Sequence, residues 1–110
     1  MFAEKSWGSF RVLDVAEESL TIKVTLNPGH GMNYHSHASR DEVWTIISGE
    51  GYVVLDGVKQ PVRSGDVIAA KAGVRHTLYA DTMLTAVEVQ TGKDIRVEDK
   101  QKYTLEDEKA

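Results

Sequence analysis

Hydrophobic and polar residues alternate with a period of two along most of the chain. In an extended strand this period places successive side chains on opposite faces. The alternating segments are rich in Val, Ile, Thr and aromatic residues, a composition typical of half-buried strands. The pattern predicts strands over Ser9–Val15, Leu20–Leu26, Glu42–Ile47, Gly51–Leu55, Val67–Ala70, His76–Tyr79 and Leu84–Gln90.

Turn-forming residues separate these segments. Asp56-Gly57 is typical of a type I′ hairpin turn, because both of its central positions need positive φ. Short strands at near-regular spacing, with turns between them, indicate an all-β fold of antiparallel strands, either a sandwich or a jelly-roll barrel.

The chain length of 110 residues accommodates one domain, since domains usually have roughly 50 to 250 residues. We therefore expect a single domain over residues 1–110. The alternation ends near residue 98, and Glu98–Ala110 holds five acidic residues and three lysines. We expect this tail to be a solvated or frayed polar extension without a chemical role.

Composition and charge exclude several classes of function. The chain has no cysteine, so any metal must be bound by nitrogen and oxygen donors. The formal net charge is −4 and the basic residues are scattered, which argues against nucleic-acid binding. No apolar run approaches the roughly 18 residues that a membrane span needs. We expect a protein without a membrane or nucleic-acid partner, located in the cytoplasm.

The histidines are the candidate metal ligands. His35 and His37 are two residues apart, so on a strand both rings leave the same face, with Cα atoms about 7 Å apart. Glu42 follows after a short polar loop, and two histidines with one carboxylate resemble a facial metal-binding triad. His76 begins a later predicted strand, whereas we expect His30 to be a solvent-facing turn residue.

These residues also carry a resemblance to the cupin superfamily. Every fixed position of the first cupin motif is matched, by Gly29, His35, His37, Glu42 and Gly49. The second motif is matched by Gly65, Gly73 and His76, with Lys71 and Ala80 where proline and asparagine are usual. The resemblance implies a double-stranded β-helix in which His35, His37, Glu42 and His76 hold one divalent ion in the barrel mouth. Mn, Fe, Ni, Zn and Co all accept these donors.

A second resemblance is to the cupin isomerase domain of type II mannose-6-phosphate isomerases. The segments that carry it include Trp7-Gly8-Ser9-Phe10, Arg40-Asp41-Glu42-Val43-Trp44 and Glu88-Val89-Gln90-Thr91-Gly92. It implies a metal-dependent aldose–ketose isomerase whose substrate is a sugar phosphate. The sequence departs from that family at His35, where glutamine is usual.

Two further residues are candidates for catalysis. Arg40 matches an arginine of the isomerase family and could bind a phosphate or an enediolate oxygen, or could be an exposed partner of Asp41. Glu88 could be the catalytic base if its side chain faces inward, but alternation alone leaves its direction open, and a metal-bound hydroxide is another candidate.

Other functions fit the same ligand set. Three histidines and one glutamate also describe cupin dioxygenases that use iron or nickel, and a small cupin can bind a ligand without catalysis. By family analogy we expect a homodimer, in which the segment Trp7–Val15 either joins the partner's sheet or covers its own barrel.

Overall fold

The computed structural model describes residues 2–93, 95 and 101–103, and within them it has strands and no helix. All strand pairs are antiparallel, which confirms the predicted all-β fold. The strands are β1 Phe2–Lys5, β2 Gly8–Val15, β3 Ser19–Leu26, β4 Tyr34–Ser36, β5 Asp41–Ser48, β6 Glu50–Leu55, β7 Val58–Arg63, β8 Val67–Ala70, β9 His76–Ala80, β10 Leu84–Thr91 and β11 Gln101–Tyr103.

The strands form two sheets. The six-stranded sheet has the order β1-β2-β3-β10-β5-β8, and the five-stranded sheet has the order β11-β4-β9-β6-β7. The sheets share a core of buried side chains from both inner faces, as in a jelly roll. Trp44, Ile46 and Leu78 are almost fully buried there, as the alternation predicts for the faces of Glu42 and His76.

The hairpin at Asp56-Gly57 has the predicted geometry. Asp56 has φ of 46° and Gly57 has φ of 83°, and these two residues alone connect β6 to β7. Positive φ at both positions is the requirement of a type I′ turn. Gly49, at the end of the first motif, is also constrained: its φ is 92°, and a Cβ there would lie 2.2 Å from the carbonyl oxygen of Met83. Only glycine fits at this close approach.

Four of the strands in the described part of the chain lie outside the seven predicted ranges: β1, β4, β7 and β11. β7 was not predicted, because its side chains are mostly exposed and it contains Pro61, which is tolerated at the edge of a sheet. Within the tail expected to be a polar extension, Gln101–Tyr103 form β11 and pair with β4. The remainder of the tail lies outside the described residues.

The N-terminal segment pairs within its own chain. β2 lies between β1 and β3, so Gly8–Val15 covers its own barrel, and β1 is at the end of the strand order. In the part of the chain that the structure describes, no helix has the length and hydrophobicity needed to cross a membrane.

Candidate metal centre

Four potential ligands come together at one point inside the barrel. His35 lies in β4, His37 directly follows that strand, Glu42 lies in β5 and His76 begins β9. β4 and β9 are paired so that His35 is opposite His76. One nitrogen or oxygen atom from each of the four side chains lies within 4.8 Å of the others, and all four residues are buried. The sequence-predicted ligand set therefore forms a single cluster, whereas His30 is exposed and outside it.

Hydrogen bonds to the backbone orient two of the rings. His35 Nδ1 contacts the carbonyl oxygen of Asn33, and His76 Nδ1 lies 3.0 Å from the carbonyl oxygen of Val74. A carbonyl oxygen only accepts hydrogen bonds, so in both rings Nδ1 carries a hydrogen, and in the neutral ring Nε2 bears a lone pair. This is the tautomer that coordinates a metal through Nε2, with the second nitrogen held by a backbone acceptor.

The Glu42 carboxylate is surrounded by these rings. Its Oε2 lies 3.1 Å from His37 Nε2, and its Oε1 lies 3.2 Å from His76 Nε2. Burial by itself raises the pKa of Glu42, but the adjacent His37 and His76 rings outweigh it and hold that pKa well below its usual range. Glu42 is therefore ionised at neutral pH.

The contact between His76 and Glu42 indicates a cation site. His76 Nε2 is buried and, among the described residues, has no hydrogen-bond partner, so its approach to Glu42 lacks the geometry of a hydrogen bond. In the neutral ring, whose hydrogen is on Nδ1, this nitrogen directs a lone pair towards an anionic oxygen. Such an arrangement is costly unless a cation lies between the two atoms. The donor set therefore fits a divalent ion bound by imidazole and carboxylate.

Arg40 contacts the same cluster. Its Nε donates to Glu42 Oε2 at 3.2 Å, and its Nη2 donates to His37 Nε2 at 3.1 Å. The arginine side chain is only 10% exposed, so the alternative of an exposed arginine does not hold. His37 Nε2 has one lone pair and cannot accept this hydrogen bond while it coordinates an ion. An ion bound to His37 Nε2 would thus require the Arg40 guanidinium to give up this hydrogen bond.

The structure places Glu88 inside the barrel, which decides the question that alternation left open. Glu88 is 4% exposed. Trp44 Nε1 donates to its Oε1 at 2.7 Å, and Gln90 Nε2 donates to its Oε2 at 2.5 Å. Burial and the nearby charge of Glu42 raise the pKa of Glu88 to about 7, although the two hydrogen bonds partly oppose this. Glu88 can therefore exchange a proton near neutral pH.

Trp44 and Gln90 were not predicted to have a role in the site. Trp44 is buried and packs against His76, with ring centroids 5.1 Å apart. Its indole N–H, however, also binds Glu88. Alternation does place Trp44 on the face of Glu42, and Gln90 on the face of Glu88. It does not show that β5 and β10 are neighbours in the sheet, which is what brings Trp44 to Glu88.

A cavity of about 300 Å³ opens beside the cluster. Its polar side is formed by His35, His37, Arg40, Glu42, Glu88 and Gln90. Three of the four predicted metal ligands and both predicted catalytic residues therefore line the same cavity. Lys71, which replaces the usual proline of the second motif, is 78% exposed and its Nζ lies 3.9 Å from Asp41 Oδ2. The apolar side of the cavity consists of Trp7, Phe10, Val12, Leu20, Ile22, Val24 and Met32.

Comparison with known proteins identifies the family. A family model described as Cupin domain matches residues 22–89, which include all four candidate ligands. The chain belongs to the cupin family. This confirms the resemblance carried by the two sequence motifs, and the cupin fold accounts for the two packed sheets.

Individual relatives agree with this assignment. The chain is 28% identical over 109 residues to mannose-1-phosphate guanylyltransferase 2 of Escherichia coli O157:H7, covering 94% of this chain and 23% of the relative. It therefore spans less than a quarter of the length of this relative. A double-stranded β-helix protein from Klebsiella pneumoniae has a TM-score of 0.75 at 22% identity, covering 84% of this chain and 81% of that one.

One further solved structure is an enzyme of different chemistry. Salicylate 1,2-dioxygenase from Pseudoaminobacter salicylatoxidans is similar with a TM-score of 0.71 at 18% identity. The similarity covers 74% of this chain and 24% of the dioxygenase. At this level of identity the comparison shows a shared fold.

Replacing His76 tests the metal centre. We expect His76→Ala to weaken zinc binding by more than about 100-fold, because loss of even a supporting residue costs roughly 10- to 100-fold in affinity. Isothermal titration calorimetry with elemental analysis measures this. His30→Ala is the matched control, since His30 is exposed and outside the cluster. Equal zinc affinity of the His76→Ala variant and the wild type would contradict the assignment.

Because the pKa of Glu88 is raised, we predict that the stability of the protein depends on pH when a chelator keeps it metal-free. Its ordinary pKa is 4.5 and its folded pKa is about 7, so between these values the folded state binds more protons than the unfolded state. The contribution of Glu88 to the free energy of unfolding therefore falls as pH rises from 4.5 to 7 and is constant above.

The Glu88→Gln variant should lack this contribution. We expect the variant to become more stable relative to the wild type as pH rises from 4.5 to 7. Urea denaturation at each pH measures the two free energies of unfolding. Glu4→Gln, at an exposed position of β1, is the control. A pH-independent difference would show that Glu88 ionises in the folded protein as it does in the unfolded chain.

Proposed function

We propose that this cupin is a divalent-metal-dependent isomerase that moves a proton between adjacent carbons of an α-hydroxy carbonyl compound. The observation that carries the proposal is the position of Glu88: a buried carboxyl group with a pKa near 7 lines the same cavity as the metal ligands. A metal-binding cluster alone is compatible with several functions. A proton acceptor poised at neutral pH beside it favours proton transfer.

In the proposed reaction, Glu88 takes the proton from the carbon that bears the hydroxyl group and returns it to the neighbouring carbonyl carbon. The hydroxyl proton passes to the carbonyl oxygen, so aldose and ketose interconvert without any net gain or loss of atoms. Trp44 and Gln90 hold the Glu88 carboxyl by one hydrogen bond to each oxygen, which leaves a second lone pair on each. A divalent ion at the cluster supplies Lewis acidity towards a substrate oxygen.

Arg40 is proposed to bind the oxygen that gains negative charge. It lies at the junction of the metal ligands and the cavity. Its planar set of N–H donors suits an enediolate or a phosphate oxygen. Once Nη2 no longer donates to His37, it can donate to that oxygen while Nε keeps its hydrogen bond to Glu42.

A sugar phosphate, such as mannose 6-phosphate, is the first substrate class to test. Support comes from relatives named mannose-1-phosphate guanylyltransferase, which match 86% and 94% of this chain. The resemblance of the Arg40–Trp44 and Glu88–Gly92 segments to type II mannose-6-phosphate isomerases supports the same class.

A dioxygenase is the second candidate, and a specific observation favours it. The cavity wall opposite the metal ligands is apolar, as would suit an aromatic substrate. Three imidazoles and one carboxylate are also compatible with iron. Oxygen consumption by the iron-loaded protein distinguishes this function from isomerisation, which consumes none.

The assembly and location of the protein remain predictions. Homodimer formation is supported by β1, which lies at the end of its sheet and carries Phe2 with 49% exposure. Strands at such an edge readily pair with another chain. The expectation of a cytoplasmic protein rests on the sequence.

Proton transfer can be measured directly. We expect the manganese-loaded protein to interconvert mannose 6-phosphate and fructose 6-phosphate and to incorporate solvent deuterium at the C2 position of mannose 6-phosphate, as followed by NMR. Glu88→Gln should lower the rate by about 100-fold or more, the usual contribution of a general base.

The control for that experiment is Glu4→Gln, which should retain the wild-type rate. If Glu88→Gln exchanges deuterium as fast as the wild type, Glu88 is not the base. If the wild type binds the metal stoichiometrically but isomerises no hydroxy carbonyl compound, the isomerase proposal is wrong.

A further inference from the structure

The inner face of the six-stranded sheet changes from polar to apolar along rows of paired residues. In one row Trp44 is opposite Glu88, and Glu88 is opposite Ile22. Ile22 is in turn opposite Val12. Directly paired residues have Cβ atoms about 4.5–5.5 Å apart. An apolar surface therefore begins one strand away from the proposed base and continues to the next strand.

The neighbouring row has the same character. Glu42 is opposite Gln90, and Gln90 is opposite Leu20. We call the apolar side chains beyond Glu88 and Gln90 the apolar wall. It consists of Phe10, Val12, Leu20 and Ile22.

The apolar wall is left partly uncovered by the protein itself. All four of its side chains are only partly buried, although Phe10 and Ile22 pack against the core. Apolar surface concentrated in a concave site beside polar groups is a feature of small-molecule binding sites. The cavity volume of about 300 Å³ is at the lower end of the range for such sites, roughly 300–1,000 Å³.

The apolar wall itself does not suit a phosphate. Among the described residues that line the cavity, Arg40 is the only lysine or arginine, and its guanidinium already contacts Glu42. Glu42 and Glu88 are acidic, and the four side chains of the apolar wall offer no hydrogen-bond donors; the donors of Trp7 and Asn33 belong to other parts of the lining. A phosphate placed over the apolar wall would lose its hydration without replacement.

We infer that the ligand of this cavity has two unlike ends. One end carries adjacent oxygen atoms, as in an α-hydroxy carbonyl compound or α-hydroxy acid, and faces the metal ligands, Arg40 and Glu88. The other end is an uncharged apolar group of about one ring in size, which contacts Val12 and Ile22. The inference rests on the proposed function for the identity of the reacting end, and it adds that hydroxy carbonyl compounds with an apolar substituent bind more tightly than sugar phosphates.

Two α-hydroxy acids test this inference. Mandelate and glycolate present the same pair of oxygens, but mandelate adds a phenyl ring. We expect mandelate to bind the cobalt-loaded protein at least about tenfold more tightly than glycolate, because the wall removes one ring from water. Calorimetry and the visible spectrum of bound cobalt give both affinities, and cobalt content is measured in every sample.

The wall is tested by Val12→Ser, which should reduce the preference for mandelate at least about threefold while leaving glycolate affinity unchanged. Unchanged glycolate affinity also shows that the variant is folded and loaded. Val15→Ser is the matched control on the same strand, since Val15 is 72% exposed and outside this cavity. It should bind both acids as the wild type does.

Several results would overturn the inference: equal binding of the two acids, no binding of either, an unchanged preference in Val12→Ser, or tighter binding of mannose 6-phosphate than of mandelate. These results are separable from failure of the proposed function, because binding requires no turnover. A retained preference without any isomerisation would contradict the isomerase proposal alone, whereas isomerisation without the preference would contradict this inference alone.

Discussion

The burial of the Glu42 carboxylate is the constraint on which the rest of this structure depends. A carboxylate inside a barrel loses most of its hydration, which costs several kcal/mol unless neighbouring groups replace it. Here the imidazoles of His37 and His76 and the guanidinium of Arg40 lie 3.1–3.2 Å from its oxygens. They come from three places in the fold: His37 directly follows β4, His76 begins β9, and Arg40 directly precedes β5. The fold therefore brings together the neighbours that Glu42 needs.

The same carboxylate determines the chemistry beside it. Its negative charge adds to the effect of burial on Glu88 and moves the pKa of that residue to about 7. Two carboxyl groups in one cavity thus differ in protonation, one held ionised by its partners and one able to exchange a proton. Such a separation of pKa values is characteristic of acid–base sites. Beyond Glu88 the inner face of the sheet is apolar, on β3 and β2. The cavity therefore has a polar end, where Glu88 can exchange a proton, and an apolar end, where part of a ligand could bind.

Much of this arrangement could be predicted from the sequence, because the signals are local. His35 and His37 share a face through simple alternation, and Asp56-Gly57 encodes its own turn. Long-range features could not be predicted in the same way. The direction of Glu88 depends on the register of β10 between β3 and β5, and the hydrogen bond from Trp44 joins residues 44 positions apart. β11 was missed for a related reason: its side chains are largely exposed, and its pairing with β4 comes from backbone hydrogen bonds that carry little sequence signal.

We propose that one divalent ion is bound jointly by His35, His37, Glu42 and His76. X-ray absorption spectroscopy at the zinc edge of the zinc-loaded protein counts the imidazole ligands and measures their distances. We predict one zinc per chain with three imidazole nitrogens at about 2.0–2.1 Å and a carboxylate oxygen at about 2.0–2.2 Å. A spectrum with one imidazole or none, or a zinc environment unchanged in a His35→Ala, His76→Ala double variant, would contradict it.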